Sequence, residues 1–241
     1  KATGKKKLND RRTWYRGAII RGDTTQKEIA LVFTGDEFGE GGSFIINALQ
    51  QAGIKASFFF TGRFYRNPGF KSILYKLKKK GHYLGAHSND HLLYADWSKR
   101  DSLLVTKEQF STDLIKNYVE MQAFGIQKKD AVYYLPPYEW YNDTIAAWTS
   151  ELGLQLINYT PGTLSHADYT TPADKNYRSS RLIYNSILDH EQSKGLEGFM
   201  LLMHIGAGEK RTDKFYHYLP QLIRYLKEKG YQFKTVDKLL K

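Results

Sequence analysis

The chain of 241 residues contains no cysteine, which removes disulfide staples and thiol nucleophiles from any account of it. Proline is sparse: the six present are scattered, so no proline-rich linker divides the sequence. No apolar stretch approaches the ~20 residues that a membrane-crossing helix needs, and no membrane span is expected. Neither an initiator Met nor a signal segment stands at the start, which leads us to expect a processed or trimmed protein working outside the cytoplasm. Acidic residues are the scarcer charge, 25 Asp and Glu against 36 Lys and Arg, for a formal net charge of +11. That excess could draw an acidic polymer through long-range fields. The lysines nonetheless fall in helical patterns, such as Lys78 to Lys80 and Lys227 to Lys229, and no nucleic-acid motif accompanies them. Solvated helix faces explain them, and no nucleic-acid partner is expected.

What the sequence does have is a core: 41% of its residues are hydrophobic and 15% aromatic, enough to fill one domain of this length. Seven short apolar runs recur, at Ile29 to Phe33, Ala56 to Phe60, Tyr83 to Ala86, Ala131 to Leu135, Leu154 to Tyr159, Phe199 to Met203 and Tyr231 to Val236. Five arrive through one repeated phrase, an amphipathic segment closed by glycine and followed by a strand, as in "QQAG-IKASFFF" and "LKEKG-YQFKTV". A helix commonly ends in a left-handed residue, and glycine adopts that conformation without a Cβ penalty. The runs are nearly continuous, as in strands covered on both faces. They predict a single α/β domain over 1–241 with a barrel-like parallel sheet, residues 1–26 forming a basic N-terminal extension. A doubly wound open sheet satisfies the same repeat.

Polar residues of catalytic type stand where these runs end, the edge at which α/β folds build their sites. In "GHYLGAHSNDH", His87 and His91 are spaced to turn two imidazoles the same way, and neutral imidazole is the commonest protein ligand for zinc and its neighbours. In "VFTGDEFGEGG", Asp36 and Glu37 are adjacent carboxylates that can divide labour, one toward a cation and one toward a proton; an acidic turn capping the next helix is the plainer reading. In "GFMLLMHIGAG", His204 follows the sixth run and can donate a proton near neutral pH, or simply bond to backbone within the core. The "YYLPPYEWYN" segment offers Tyr138, Trp140 and Tyr141, whose ring faces suit sugars. The long polar loop after the fifth run, around His166, is expected to overhang the same rim.

Taken in order, these motifs resemble those of the polysaccharide deacetylase family, also called the NodB-like domain or carbohydrate esterase family four, over about Ile29 to Val236. The His-Ser/Thr-x-x-His ligand pair of that family is matched by His87, Ser88 and His91, its Leu-x-His acid by Leu202, Met203 and His204, and its Arg-x-Pro-Tyr segment is similar to "LPPYEWYN". The resemblance implies a distorted (β/α)7 barrel. It also implies metal-dependent removal of N- or O-acetyl groups from a polysaccharide or oligosaccharide, with a divalent cation, zinc foremost and cobalt or nickel as alternatives. By that resemblance His87 and His91 with Glu37 would hold the cation, Asp36 would be the base and His204 the acid.

Two departures bear on this. Aligning "TGDE" on the family's Thr-Phe-Asp-Asp makes Asp36 the base and Glu37 the ligand, whereas an ungapped alignment of "IALVF" puts Thr34 and Gly35 there. Leu135 stands where the family's arginine orients the base. A non-catalytic carbohydrate-binding protein on a degenerate deacetylase scaffold is therefore the alternative.

Overall fold

The computed structural model describes residues 10–241. The apolar runs form a curled parallel sheet. Its strands are β3 (Glu28–Gly35), β4 (Ser57–Phe60), β5 (Tyr83–Ala86), β6 (Tyr133–Tyr134), β7 (Gln155–Leu156), β8 (Phe199–His204) and β9 (Gln232–Phe233). They lie in the order β7-β6-β5-β4-β3-β8, with β9 paired to the start of β3. An N-terminal hairpin of β1 (Thr13–Tyr15) and β2 (Ala18–Arg21) precedes them. Each of the five repeated phrases ends its helix at a glycine with positive φ, Gly53, Gly81, Gly125, Gly153 and Gly230.

Helices α1 (Gly42–Gln51), α3 (Lys71–Lys79), α4 (Lys107–Gln122), α5 (Asp143–Glu151), α6 (Ser180–Lys194) and α7 (Leu219–Glu228) bury one face each in the main core, which reaches the sheet through alternate strand residues. On β3 these are Ile29, Leu31 and Phe33. Ala30 and Val32 point the other way, into a second cluster with Met200, Leu202, Leu135 and Ile157, and the short helix α8 (Val236–Leu239) closes that cluster. Apolar residues on both faces of one strand are what a sheet curled around its own filling requires.

The gap between β7 and β8 is spanned by β2. Ile19 makes a parallel bridge to Ile157, the Asn158 amide donates to Ile19 O at 2.9 Å, and the Gly22 amide donates to Gly198 O at 2.7 Å. The sheet is thus a distorted barrel rather than an open doubly wound one. This also corrects the expected boundary of the N-terminal extension. Residues 1–9 lie outside the described residues, but Ala18 and Ile19 are fully buried as part of the barrel wall. A four-residue strand inside a basic stretch carries too little pattern to be read from sequence.

Register fixes where the site can be. Thr34 pairs with His204, Gly35 with Phe60, Phe60 with Ala86, and Ala86 with Tyr134. The residues that follow these strand ends, Asp36, Thr61, His87 and Leu135, therefore reach one rim together with His204.

Candidate active site

At that rim lies a cleft of about 480 Å³ lined by Asp36, Glu37, His87, His91, Tyr138, Glu139 and His204 among others. Asp36 leaves the end of β3 and is held from the neighbouring strand. Its Oδ1 accepts from Thr61 Oγ1 at 2.8 Å and from Arg63 Nε at 3.0 Å, and its Oδ2 accepts from Arg63 Nη2 at 2.5 Å. This is a two-pronged guanidinium clamp, strong and directional. Thr61 also caps the short helix α2 (Gly62–Arg66), accepting from the Phe64 amide at 3.1 Å, so one buried hydroxyl fixes both the carboxylate and the helix that carries Arg63. The approach of α2 to the next loop needs glycine at position 62, where a Cβ would lie 2.0 Å from Asn89 Oδ1.

The loop after β5 presents the two imidazoles. His87 Nδ1 donates to Leu135 O at 2.8 Å, which leaves Nε2 free to ligate, and the His87 amide donates to Asn117 Oδ1 at 2.9 Å. Burial, reinforced by the neighbouring His91, pushes the His87 imidazole down to about 3; burial and the Arg63 charge push His91 down to about 4. Both are neutral at physiological pH, the form that binds metals. Their ring centroids are 5.1 Å apart. The loop bends through two left-handed residues, Ser88 (φ 75) and His91 (φ 54), and Asp113 of α4 holds it there. Buried Asp113 accepts from Ser88 Oγ, from the Asn89 amide at 2.9 Å and from the Asp90 amide at 3.0 Å. Replacing Asp113 by Ala strands three donors, each worth about 1–3 kcal/mol when buried without a partner, so a loss of at least about 3 kcal/mol is expected in urea unfolding.

His204 is the third imidazole. Its Nδ1 donates to Asp168 Oδ1 at 2.6 Å, and its amide donates to Asp168 Oδ2 at 2.9 Å. Burial works against the imidazolium, but the Asp168 charge and hydrogen bond outweigh it, with Glu139 adding to them, and the pKa is raised. Asp168 comes from the long loop after β7, which does overhang the rim and also brings Tyr169, its ring 5.0 Å from that of His204. Thr34, at the floor, has a buried hydroxyl with no partner among the described residues.

Six of the eight residues singled out by sequence thus meet in one cleft: Asp36, Glu37, His87, His91, His204 and Tyr138. Two do not line it. Tyr141 is fully buried, its hydroxyl donating to Tyr15 O at 2.9 Å, and Trp140 is half-buried, donating to Asp96 O at 3.2 Å beneath the Arg100 guanidinium. The chain reverses through consecutive left-handed residues, Tyr138 (φ 57) and Glu139 (φ 52), which turns the following rings inward. Trp97 takes the vacated wall, 55% exposed and edge-on to Tyr138. Arg63, Asp168, Asp113 and Glu139 escaped the sequence reading. Burial, with the Asp168 charge, pushes the Glu139 carboxyl up to about 7.

Leu135 packs inside the barrel with Val32, Met200 and Leu202. Leu135 brings no charge to Asp36, and the guanidinium that Asp36 meets is that of Arg63, which arrives from the adjacent strand end.

Similarity to known proteins agrees with this architecture. A peptidoglycan-N-acetylglucosamine deacetylase of Bacillus cereus is 26% identical over 198 residues, covering 82% of this chain and 80% of the relative. A peptidoglycan-N-acetylmuramic acid deacetylase of Bacillus subtilis is 24% identical over 226 residues, covering 92% and 75%. The fold is shared with a family 4 carbohydrate esterase pseudoenzyme from Bacillus anthracis, with a TM-score of 0.72 at 17% identity over 95% of this chain and 70% of that one. The sequence profile of the polysaccharide deacetylase family matches residues 21–157, more than half of the chain, and the chain belongs to that family.

Proposed function

We propose that this protein hydrolyses acetyl groups from a polysaccharide or oligosaccharide, outside the cytoplasm, with a divalent cation, zinc foremost. The observation that carries this reading is the clamp of Arg63 on Asp36. The loss of the usual arginine at Leu135 suggested a degenerate binding protein, yet a carboxylate oriented by a guanidinium is present.

The donors suit a borderline cation. Two imidazoles are neutral, one with its tautomer fixed by Leu135 O, and the orphan Thr34 hydroxyl marks a polar floor awaiting a ligand. Among the described residues no three His, Asp or Glu side chains converge into a ready cage. His87 and His91 would hold the ion, with Glu37 at the exposed lip as the acidic partner. When bound, a cation there supplies Lewis acidity toward water and the acetyl carbonyl.

The chain's own groups do the rest. Asp36 takes the proton of the attacking water. The new C–O bond forms as the carbonyl oxygen gains charge, which a backbone N–H stabilises. The Glu139 and Trp140 amides are used within the turn, on Pro136 O at 3.1 Å and Pro137 O at 3.2 Å, and the Tyr138 N–H has no partner among the hydrogen bonds described. His204, with Nδ1 committed to Asp168, gives its Nε2 proton to the departing nitrogen or oxygen as the bond to the acyl carbon breaks, leaving acetate and a free amine or alcohol. Tyr138 and Trp97 wall the sugar.

Acetate release from N-acetylglucosamine oligomers and from acetylated xylan, before and after chelation and with zinc, cobalt or nickel restored, tests this. Release that vanishes with chelation and returns with metal is expected; glycan binding without release under every condition would favour the non-catalytic reading. Asp168→Asn is expected to move the alkaline limb of the kcat/KM profile to lower pH. His204 must be protonated to act, its raised pKa depends on Asp168, and losing that charge empties the acid form earlier as pH rises.

A further inference from the structure

Between β7 and α6 the chain runs from Ile157 to Ser179 as irregular stretches on either side of a short turn of 3-10 helix, Ser165–Ala167. An ordered segment of that length with so little regular structure is uncommon and usually serves function. This one carries Asp168, whose carboxylate must keep its place for His204 to keep its orientation. The turn around Asp168 is closed by Thr170, whose amide and hydroxyl both donate to Ala167 O, at 3.1 Å and 2.7 Å. Thr170 is held in turn by Arg211.

Arg211 is fully buried, an uncommon place for a guanidinium, and removing that charge from water is costly. Its Nη1 donates to Thr170 O at 2.5 Å, its Nε to Asp213 O at 2.7 Å and its Nη2 to Ser180 Oγ at 3.1 Å. The Asp213 carboxylate stands 3.8 Å from Nη2, and the Tyr177 ring centre lies 5.3 Å from the guanidinium carbon. That carboxylate is committed to the start of α6, accepting from the Ser180 amide at 2.6 Å and from the Tyr177 hydroxyl at 3.3 Å. A charge buried mostly against neutral oxygens is a poor device for stability alone, since an apolar residue of like volume often serves as well. It is a good device for fixing directions, because the planar fork meets three segments at once.

Those segments are the Asp168 loop, the start of α6 and the turn after β8. His204 ends β8, and Arg211 follows it on the same stretch of chain. The overhanging loop is therefore fastened twice to one stretch, at Asp168 by His204 and at Thr170 by Arg211. One contact would let the carboxylate swivel about it; two fix its direction. We propose that Arg211 is a positioning residue for the acid, holding Asp168 in line with His204 through Thr170. The proposal rests on the deacetylase reading, in which His204 protonates the leaving group, and adds to it a buried residue behind the cleft.

Hydrogen exchange at the His204 amide, followed by NMR, reads the contact without turnover, because that amide donates to Asp168 Oδ2. In Arg211→Met it is expected to exchange about tenfold or more faster than in the parent, while amides along β3 keep their protection; a global loss of stability would quicken both. A fall in kcat of about tenfold to 10²-fold is expected, with KM within about twofold, because the loss is one of geometry at the acid. Asp168→Asn combined with Arg211→Met should lose little beyond Asp168→Asn alone, since Arg211 acts through Asp168. Arg211→Lys keeps the charge without the fork, and intermediate exchange and kcat are expected. Parent-like exchange at His204 in Arg211→Met, or in Arg211→Lys should the former not fold, would overturn the proposal, as would additive losses in the double variant. Faster exchange at His204 in Arg211→Met, with no acetate released by the parent, would keep the hold of Arg211 on the loop and overturn the hydrolase.

Discussion

Asp36→Asn is expected to lower kcat by about 10²- to 10⁴-fold, the range for removing a general base, with glycan affinity within about twofold of the parent. The affinity should hold because the aromatic walls Trp97, Tyr138 and Tyr169 come from other segments of the rim. Arg63→Ala should reproduce about 10²-fold of that loss, because a carboxylate freed from its clamp spends most of its time misaligned with the attacking water. Arg63→Lys restores the charge but not the two-pronged contact, so an intermediate rate is expected. Combining Asp36→Asn with Arg63→Ala should add little to the first, since the guanidinium acts through the carboxylate. A full additive loss in the double variant would mean that Arg63 works elsewhere, on substrate.

His204→Ala is expected to cost about 10²- to 10⁴-fold as well, but unevenly across substrates. An amine departs poorly without a proton, and an alkoxide less so, so the loss should be larger on an acetamido sugar than on an O-acetyl ester. Steady-state acetate release from paired amide and ester substrates measures the difference. Unchanged turnover on both would remove His204 from the chemistry, whatever its bond to Asp168.

The strands, the glycine-closed helices and the rim were legible because they rest on local pattern. Continuous apolar runs specify strands covered on both sides, and residues just beyond them share an edge once the sheet is parallel. Gly53, Gly81, Gly125, Gly153 and Gly230 all carry the positive φ that their place after a helix demanded. The partners that tune the site were not legible, since each acts across the fold. Arg63 reaches Asp36 only because Gly35 and Phe60 are in register, and Asp168 reaches His204 from 36 residues away. A signal for Arg63 did exist: "FFFTGR" runs off a strand end, as the other site motifs do. Trp140 and Tyr141 were misread because the turn at Tyr138 and Glu139 adopts left-handed backbone without a glycine to announce it.

The proposed hydrolysis requires His87 and His91 to form a metal-holding pair beside a guanidinium-clamped base. Anomalous X-ray scattering from crystals of protein purified without chelator, collected across the zinc, cobalt and nickel edges, tests that pair. The predicted result is one ion at about 2.0–2.1 Å from an imidazole nitrogen of each of His87 and His91, with Asp36 still paired to Arg63 beside it. An ion bound elsewhere on the molecule, or none at the pair after soaking in metal, would contradict it.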